Sequence, residues 1–549
     1  MSLGKRVSAR SSQSERFSFG ADIGQSLAPS AGDYTRPVIQ SRALSGEDLT
    51  VDHVWDVAVE GAPVSLADTA RGKMRASREL VERAAHGTSE HTYGINTGFG
   101  RFVSASIPEE LTEELQLRLL RSHACGVGEP YPPEVVRAAM LLRANALAKG
   151  YSGARIETVE LLIECINRGL LPNVPSRGSV GASGDLAPLA HLALPLVGEG
   201  QAWLEGELLP GAVALERIGL EPVRLQAKEG LSLINGTQFM AAVGALGLVR
   251  ARRLAKAADL ACAMSLEALQ GSRASFMPEI QALRPLRGQA ASAANVLRLI
   301  EDSAINESHR WCDKVQDAYS LRCAPQVHGA CRDLFDHVAY TVGVEVNAAT
   351  DNPLVLVERE ELVSNGNFHG QPVAFALDIL ALGVSELASI SERRIERLVN
   401  PSLSDGLPPF LTADGGLNSG FMIPQYVAAA LVSENKVLSH PASVDSIPTS
   451  AGQEDHVSMG NAAALKGWQV LANGERALAI ELLAGAQGVE FLAPLEPGVG
   501  VRATRAFVRT LSPRLADDRS LSGDIEAVAA AIRNGSLIGG VESEVGELS

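Results

Sequence analysis

The sequence predicts a mainly α-helical protein built from long helices packed on one another. Hydrophobic residues make up 46% of the 549 residues and aromatic residues only 4%, so the core must consist mostly of alanine, leucine and valine, which favours helix-on-helix packing. From Gln226 onward, long Ala- and Leu-rich segments are apolar on most helical faces. Such segments are typical of the centre of a helix bundle or of a subunit interface.

The composition divides the chain into four segments. Residues 1–35 are rich in Ser, Arg and Gly and predict a disordered extension, with an organellar transit peptide as the alternative. Residues 36–225 predict a loop-rich N-terminal domain, and residues 226–500 predict the central bundle of long helices. Residues 501–549 predict a C-terminal helical cap that ends in a short acidic tail.

Charge and cysteine content exclude several kinds of partner. The formal net charge of −16 argues against nucleic acid, whose binding needs clustered Lys and Arg, and favours a small molecule. The six cysteines form no C-x-x-C pair, so we expect free thiols and a cytoplasmic location. No Cys or His spacing indicates a metal site. Charged residues such as Asp378 and Glu386 interrupt the most apolar stretches, which argues against a membrane span.

The first distinctive string is Y-G-I-N-T-G-F-G, residues 93–100. Three glycines among polar and aromatic residues predict an ordered loop or lid in which Tyr93 is the anchor. The segment from Ser106 to Glu109 has the S-x-x-E form of a helix capping box, and the helix behind it carries Ser122 and His123 near its end. A lone His at a helix C-terminus is more often a surface residue that interacts with the helix dipole.

Other regular elements follow from apolar periodicity and from Gly and Pro positions. We predict helices over residues 133–149, 152–168, 373–399 and 422–438, a hairpin or turn over 205–210, and a polar connection over 280–310. Asn235 lies inside one of the long apolar segments. A buried Asn has to be hydrogen-bonded to offset its cost.

The loop G-S-V-G-A-S-G-D, residues 178–185, offers unusual chemistry. Because Gly184 has no side chain, its amide nitrogen can approach the carbonyl of Ala182 in conformations closed to other residues. Ring closure, loss of water and loss of the Ser183 hydroxyl would leave a methylidene-imidazolone, whose exocyclic methylene is an electrophile. A plain turn is the simpler interpretation, while the glycine spacing disfavours a nucleophile elbow or a phosphate loop.

The string from Gly178 to His191 resembles the signature of the aromatic amino acid ammonia-lyase family. Similar strings lie at residues 93–100, 121–129, 233–238, 316–326, 366–372, 417–425 and 450–459, so that the resemblance spans about residues 40 to 510. It implies a fumarase/aspartase-like architecture with a loop-rich N-terminal active-site domain. It also implies a homotetramer whose active sites combine loops from several subunits.

The family resemblance implies a role for each matching residue. Ala182, Ser183 and Gly184 would form a 4-methylidene-imidazole-5-one group without any external cofactor. Asp185 would assist its formation or orientation, and Tyr93 would transfer a proton. The other residues implied at the reacting centre or the substrate are Asn235, Gln316, Tyr319, Gln326 and Phe368.

Arg322 is the candidate for binding the substrate's α-carboxylate. Gln316, Tyr319 and Arg322 are spaced by three residues, so in a helix they would share a face. The planar guanidinium of Arg can bind a carboxylate through two contacts. The resemblance assigns the substrate to this position, and an internal Asp or Glu partner is the alternative.

Ser122, His123 and Glu454 indicate which amino acid is the substrate. A carboxylate suits an imidazole, which can donate N–H hydrogen bonds to it, whereas a phenyl ring would leave a buried carboxylate unpaired. The chain therefore resembles the branch that converts L-histidine to trans-urocanate and ammonia. A structural ion pair is the alternative for Glu454. Gln371 departs from that branch, whose members often have Glu there.

Two other functions remain open. The same scaffold serves tyrosine or phenylalanine lyases and aminomutases, which a Gln at position 454 would have favoured. A catalytically inactive homologue could act as a binding protein, and the absence of Ser183 or Tyr93 would have favoured that interpretation.

Overall fold

The computed structural model describes residues 40–87, 93–98 and 100–549. Within these ranges the chain forms twenty α-helices and nine short β-strands, which confirms the prediction of a mainly α-helical protein. The predicted extension over residues 1–35 lies outside the described residues, as does Phe99 of the Tyr93 loop.

Short helices and all but two of the strands make up the N-terminal part of the chain. In order, these elements are β1 (Arg42–Leu44), α1 (Val51–Ala58), β2 (Val64–Leu66), α2 (Asp68–Gly87), α3 (Thr112–His123), β3 (Val127–Pro130), α4 (Pro133–Ala148), α5 (Ile156–Asn167), β4 (Leu171–Pro172), β5 (Pro175–Arg177), α6 (Leu186–Ala193), β6 (Gln201–Leu204), β7 (Glu207–Pro210) and α7 (Gly211–Arg217). β1 pairs in parallel with β2, and β3 pairs antiparallel with β5. β4, β6 and β7 form a three-stranded antiparallel sheet. Its β6–β7 hairpin spans residues 201–210 and includes the hairpin or turn predicted over 205–210.

Long helices dominate the remainder. They and the shorter elements between them are α8 (Glu229–Ile234), α9 (Gln238–Ala268), α10 (Pro278–Ala282), α11 (Arg287–Leu299), α12 (Ala304–Ser308), α13 (Tyr319–Arg322), α14 (Ala324–Glu345), β8 (Leu354–Leu356), β9 (Glu361–Val363), α15 (Gln371–Val399), α16 (Met422–Leu438), α17 (Gly460–Glu490), α18 (Val499–Leu511), α19 (Ser522–Asn534) and α20 (Ser536–Val545). The antiparallel pair β8–β9 precedes α15.

α9, α15 and α17 form the centre of the bundle, where each packs against the other two and α14 packs against α9 and α15. Nearly all of the 31 residues of α9 are buried, because its alanines, leucines and glycines allow neighbouring helices to approach on every side. One apolar core extends along the chain from Leu44 to Leu548. The loop-rich part of the molecule is thereby fixed on the ends of long, rigid helices.

α15 contains both Asp378 and Glu386 and is the one described helix that could cross a bilayer by length and composition. However, 67% of its most apolar window is buried inside the molecule, as is typical of the core helix of a bundle. The six cysteines are free thiols, as predicted.

Several local predictions were wrong. The pattern at Ser106 to Glu109 does not cap α3, which begins at Thr112 without a side-chain cap, and Ser106 instead forms a β-bridge with Thr97. Residues 280–310 are not a plain connection, since they contain α11 and α12. Asn235 does not lie inside a helix but ends α8, with φ −91° and ψ 107°.

Candidate active site

Residues 178–185 form a tight loop between β5 and α6. Ser183 and Gly184 both have positive φ values, 51° and 79°, a region that costs free energy for a serine. The Ser179 hydroxyl stabilises the turn, because it accepts a 3.0 Å hydrogen bond from the Gly181 amide and donates one of 3.2 Å to the Gly184 carbonyl. The loop is thus held in a strained, specific conformation.

The C-terminal end of the loop is anchored to the start of α9. Gly184 forms a β-bridge with Gly236, and the Asp185 amide donates a 2.7 Å hydrogen bond to the Gly236 carbonyl. The fully buried Asp185 carboxylate accepts a 2.9 Å hydrogen bond from the Met240 amide and a second from Phe239. These amides belong to the first turn of α9, whose dipole favours a negative charge.

Burial raises the pKa of Asp185 to about 7, and the nearby Glu345 adds to the rise. The hydrogen bonds from the α9 amides act in the opposite direction. A carboxyl with a pKa near neutrality can hold or release a proton at little cost, a property that acid–base groups require.

Two cavities meet at Ser183. One of about 840 Å³ extends towards α3, and the other of about 390 Å³ extends towards the loop before α15. Both are lined by Tyr93, Gly100, Ser183 and Glu454. The structure therefore brings together predicted residues that are separated by more than 360 positions in the chain.

Tyr93 lies in the wall shared by the two cavities. Burial raises the pKa of its phenol, and the negative charges of Glu454 and Asp351 act in the same direction. A hydrogen bond with the Gly100 backbone lowers that pKa in part. The phenol is accordingly protonated at neutral pH and lies close enough to Glu454 for the two groups to interact.

Ser122 and His123 end α3 and line the larger cavity. Nδ1 of His123 lies 2.9 Å from the Leu119 carbonyl, which can only accept, so this nitrogen carries the proton of the neutral ring. Burial lowers the pKa of His123, although the charge of Glu454 opposes the shift. His123 is therefore a neutral imidazole whose Nε2 is the hydrogen-bond acceptor.

Glu454 ends a short turn that begins at Thr449. The Thr449 hydroxyl donates a 2.6 Å hydrogen bond to Oε2 of Glu454, and the two residues form an isolated β-bridge. Among the described residues, no Lys, Arg or His lies within ion-pair distance of Glu454. The described part of the chain therefore offers no cationic partner for the alternative in which Glu454 forms a structural ion pair.

Asn235 lines the larger cavity where α8 ends. Its carbonyl accepts a 2.7 Å hydrogen bond from the buried Arg143, which also donates to Gln238. The Oδ1 atom of Asn235 has no hydrogen-bond partner within the described ranges. Arg143 thus fixes the backbone of Asn235 and leaves its side chain available to a ligand.

Phe368 lines the smaller cavity, as predicted, together with His369 and His456. These two histidine rings stack at 5.6 Å between centroids, and sequence reasoning did not select either of them. Gln371 is not in the cavity wall, because it begins α15 and its side-chain amide donates a 2.9 Å hydrogen bond to the Ser443 carbonyl.

The predicted residues between 316 and 326 do not reach this cavity within one chain. Gln316 lies in a coil before α13, so the prediction that it shares a helical face with Tyr319 and Arg322 was wrong. Tyr319 is 71% exposed, and the Arg322 guanidinium stacks on its ring at 4.7 Å. No described carboxylate pairs with Arg322, and the buried Oε1 of Gln326 has no partner among described residues.

The loop residues fit the ring that the resemblance implies. Ala182 and Ser183 are partly exposed and line the cavity, whereas Gly184 is buried. A Cβ atom on Gly184 would lie 2.1 Å from the carbonyl oxygen of Gly236, so only glycine is accommodated there. The reactive serine is thereby presented to the cavity, and the glycine nitrogen is on the anchored side.

Comparison with known proteins agrees with the fold and shows the family. A family model for aromatic amino acid lyases matches residues 49–510. A histidine ammonia-lyase from Gloeobacter violaceus is 57% identical over 505 residues, which cover 92% of this chain and 98% of that protein.

Two solved structures extend the comparison. A histidine ammonia-lyase from Trypanosoma cruzi is 46% identical with a TM-score of 0.85, over 92% of this chain and 96% of that one. A tyrosine aminomutase from Streptomyces globisporus is 38% identical with a TM-score of 0.88, over 93% and 100%. The all-α architecture is the expected fumarase-like fold, and the chain belongs to the aromatic amino acid lyase family.

Proposed function

We propose that the protein eliminates ammonia from L-histidine to give trans-urocanate, the first step of histidine degradation. The observation that carries this proposal is the placement of His123 and Glu454 in the same cavity wall as Ser183 and Tyr93. The substrate imidazole can donate one N–H to Glu454, and when the ring is protonated its second N–H can be donated to Nε2 of His123. The 57% identity to a histidine ammonia-lyase supports the same substrate.

The reaction needs an electrophile, because the amine of an amino acid leaves poorly and its β-proton is weakly acidic. We propose that Ala182, Ser183 and Gly184 form a methylidene-imidazolone, which supplies this electrophile when it is present. The support is the fit of the loop: a partly exposed Ser183, a Gly184 without room for a side chain, and the buried carboxyl of Asp185 beside them.

Tyr93 is the proposed group that removes the β-proton. It lies in the wall next to Ser183 and would act as the phenolate, whose proton affinity burial keeps high. Asn235, whose Oδ1 lacks a described partner, would orient the amino group of the substrate through a hydrogen bond.

We further propose a homotetramer in which Gln316, Tyr319, Arg322 and Gln326 complete the active site of another subunit. The support is their distance from the Ser183 cavity in one chain, together with the exposure of apolar side chains around them. Trp311 and Val315 are 88% and 93% exposed. Side chains of this kind are stabilised when a second copy covers them. A cytoplasmic location would suit the six free thiols.

The decisive experiment incubates the purified protein separately with L-histidine, L-tyrosine and L-phenylalanine and follows the conjugated acrylate products by ultraviolet absorption. We expect product from histidine. Product from tyrosine alone, or β-tyrosine in place of an acrylate, would instead identify a tyrosine-acting lyase or an aminomutase. The absence of product from all three would favour an inactive binding homologue.

A matched variant tests the electrophile. Ser183→Ala should abolish turnover and leave the circular dichroism spectrum and the oligomer size unchanged. The wild-type protein should weigh less than its sequence by two water molecules, and Ser183→Ala should not. A fully active Ser183→Ala variant would refute the self-made group.

A further inference from the structure

The first turn of α9 is capped by a residue that is distant in sequence. Thr237 occupies the N-cap position, where a threonine hydroxyl usually accepts from the second or third helical amide. These amides belong to Phe239 and Met240, and here both donate to Asp185 instead. The Thr237 hydroxyl donates a short hydrogen bond to the carboxylate of Glu345.

Glu345 is in an unfavourable place for an acid. It is the last residue of α14, where the helix dipole disfavours a negative charge. Within the described residues, no Lys or Arg lies within ion-pair distance of it, and burial raises the pKa of its carboxyl. Its described hydrogen-bond partner is Thr237.

The conformation of Thr237 is linked to the loop that contains Ser183. Thr237 has φ −103° and ψ 19°, whereas a residue that caps a helix with its side chain is typically extended. The preceding residue, Gly236, is bridged to Gly184 and accepts the hydrogen bond from the Asp185 amide. Rotation of Thr237 into a capping conformation would therefore displace Gly236 and compete with Asp185 for the same amides.

We propose that Glu345 is a positioning residue for ring formation, because it holds the Thr237 hydroxyl away from α9 and so reserves the helix N-terminus for Asp185. The proposal rests on the proposed function, in which Ala182, Ser183 and Gly184 form the ring. Glu345 acts through Thr237 and need not touch the reacting atoms.

Ring formation, which Asp185 would assist, needs no oxidant or co-reactant. The Gly184 nitrogen bonds to the Ala182 carbonyl carbon, and that oxygen leaves as water with the amide hydrogens of Gly184 and Ser183. The Ser183 hydroxyl leaves as a second water with the α-hydrogen of the same residue. Both steps move protons within the loop, next to a carboxyl whose Oδ1 has no described partner.

The test measures ring formation by mass rather than by activity. Full-length protein is made by cell-free synthesis, translation is stopped, and the fraction that has lost two waters is followed with time. Glu345→Ala should slow this loss about fivefold or more, the factor that corresponds to one helix cap. Glu345→Gln retains an oxygen that can accept from Thr237 and is the matched control, which should mature at the wild-type rate.

A second substitution separates positioning from a general loss of structure. Thr237→Val removes the competing hydroxyl, so this variant should mature at the wild-type rate, and it should restore the rate when combined with Glu345→Ala. Wild-type maturation in Glu345→Ala, or no restoration in the double variant, would overturn the proposal. Slow maturation of the single variant Thr237→Val would also overturn the proposal, because this variant keeps Glu345 and has no hydroxyl that could compete with Asp185.

The same experiment distinguishes this proposal from the proposed function. If the wild-type protein never loses two waters, the self-made ring fails, and the role of Glu345 fails with it. If the wild-type protein loses them and Glu345→Ala does so at the same rate, only the role of Glu345 is refuted.

Discussion

The hydroxyl of Thr449 donates a 2.6 Å hydrogen bond to Oε2 of Glu454, and the amide of each residue also donates to the carbonyl of the other. Ser450 and Ala451 between them have φ values of 51° and 54°, a region that L-residues adopt at a cost. A short strained turn therefore aims the Glu454 carboxylate, and Thr449 fixes its rotamer.

Replacement of Thr449 by Val should weaken histidine recognition. The loss of one hydrogen bond, about 1 kcal/mol, corresponds to a roughly fivefold fall in kcat/KM, expressed mainly as a higher KM. Thr449→Ser retains the hydroxyl and should remain close to the wild type. Steady-state kinetics with L-histidine check this, and an equal effect of the two substitutions would contradict a role for the hydroxyl.

Glu454→Gln should lower kcat/KM for L-histidine by about 10- to 100-fold, because a hydrogen bond to a charged group is replaced by a neutral one. Any residual turnover of L-phenylalanine should not fall, since a phenyl ring has no N–H to donate. Parallel assays with both amino acids measure the difference. A uniform loss for both would assign Glu454 to the reaction itself rather than to imidazole recognition.

Tyr93→Phe should reduce kcat by about 10²- to 10⁴-fold, the usual contribution of a positioned acid–base group, without affecting the loss of two waters. Because burial raises the pKa of Tyr93, the wild-type rate should increase with pH above neutrality as the phenolate becomes more abundant. His123, whose pKa is lowered, remains neutral throughout this range. A pH–rate profile that is unchanged in Tyr93→Phe would contradict the role.

Shared active sites can be tested by mixing two inactive variants. Under the proposed function, Ser183→Ala and Arg322→Ala should each disable every site in their own homotetramers. After the two proteins are dissociated and reassembled together, about a quarter of the sites should combine an intact Ser183 with an intact Arg322 from another subunit. Activity that reappears only in the mixture supports sharing. If none reappears while mixed tetramers form, each site is built from one chain.

Asp185 should make the protein less stable as pH rises. Its pKa is near 4 when unfolded and about 7 when buried, so between these values the folded protein holds a proton that the unfolded chain has released. The stabilising contribution is therefore complete below about pH 4 and is lost as pH rises to 7, by up to about 1.4 kcal/mol per pH unit. The Tm of the wild type relative to Asp185→Asn should fall over this range, and a constant difference would refute the assignment.

The bounds of two apolar helices could be predicted from sequence almost to the residue. α16 has the predicted bounds, and α4 differs from its prediction by one residue, because their signals are local and repeated over several turns. The S-x-x-E pattern at Ser106 failed for the opposite reason. A single pair of residues was its only support, and the β-bridge between Ser106 and Thr97 was more favourable.

Most cavity residues were predictable from short strings, but their supporting contacts were not. Arg143 lies 92 positions from Asn235, and Glu345 lies 108 positions from Thr237. Neither Arg143 nor Glu345 belongs to a recognisable motif. Each reaches its partner only when distant helices pack together. The location of the segment around Arg322 was also not predictable, because a local sequence pattern does not indicate whether a surface loop contributes to the active site of its own subunit or of another.

Under the proposed function, the Asp185 cap on α9 makes ring formation conditional on tertiary structure. The loop acquires its geometry from the first turn of a helix that begins more than fifty residues later, so a chain whose α9 has not docked cannot present Gly184 correctly. Under the proposed function, misfolded molecules would remain chemically inert and carry no reactive electrophile into the cell. The loss of two waters from residues 182–184 would then show that a molecule had once folded, and mass spectrometry could detect it even after the protein has been denatured.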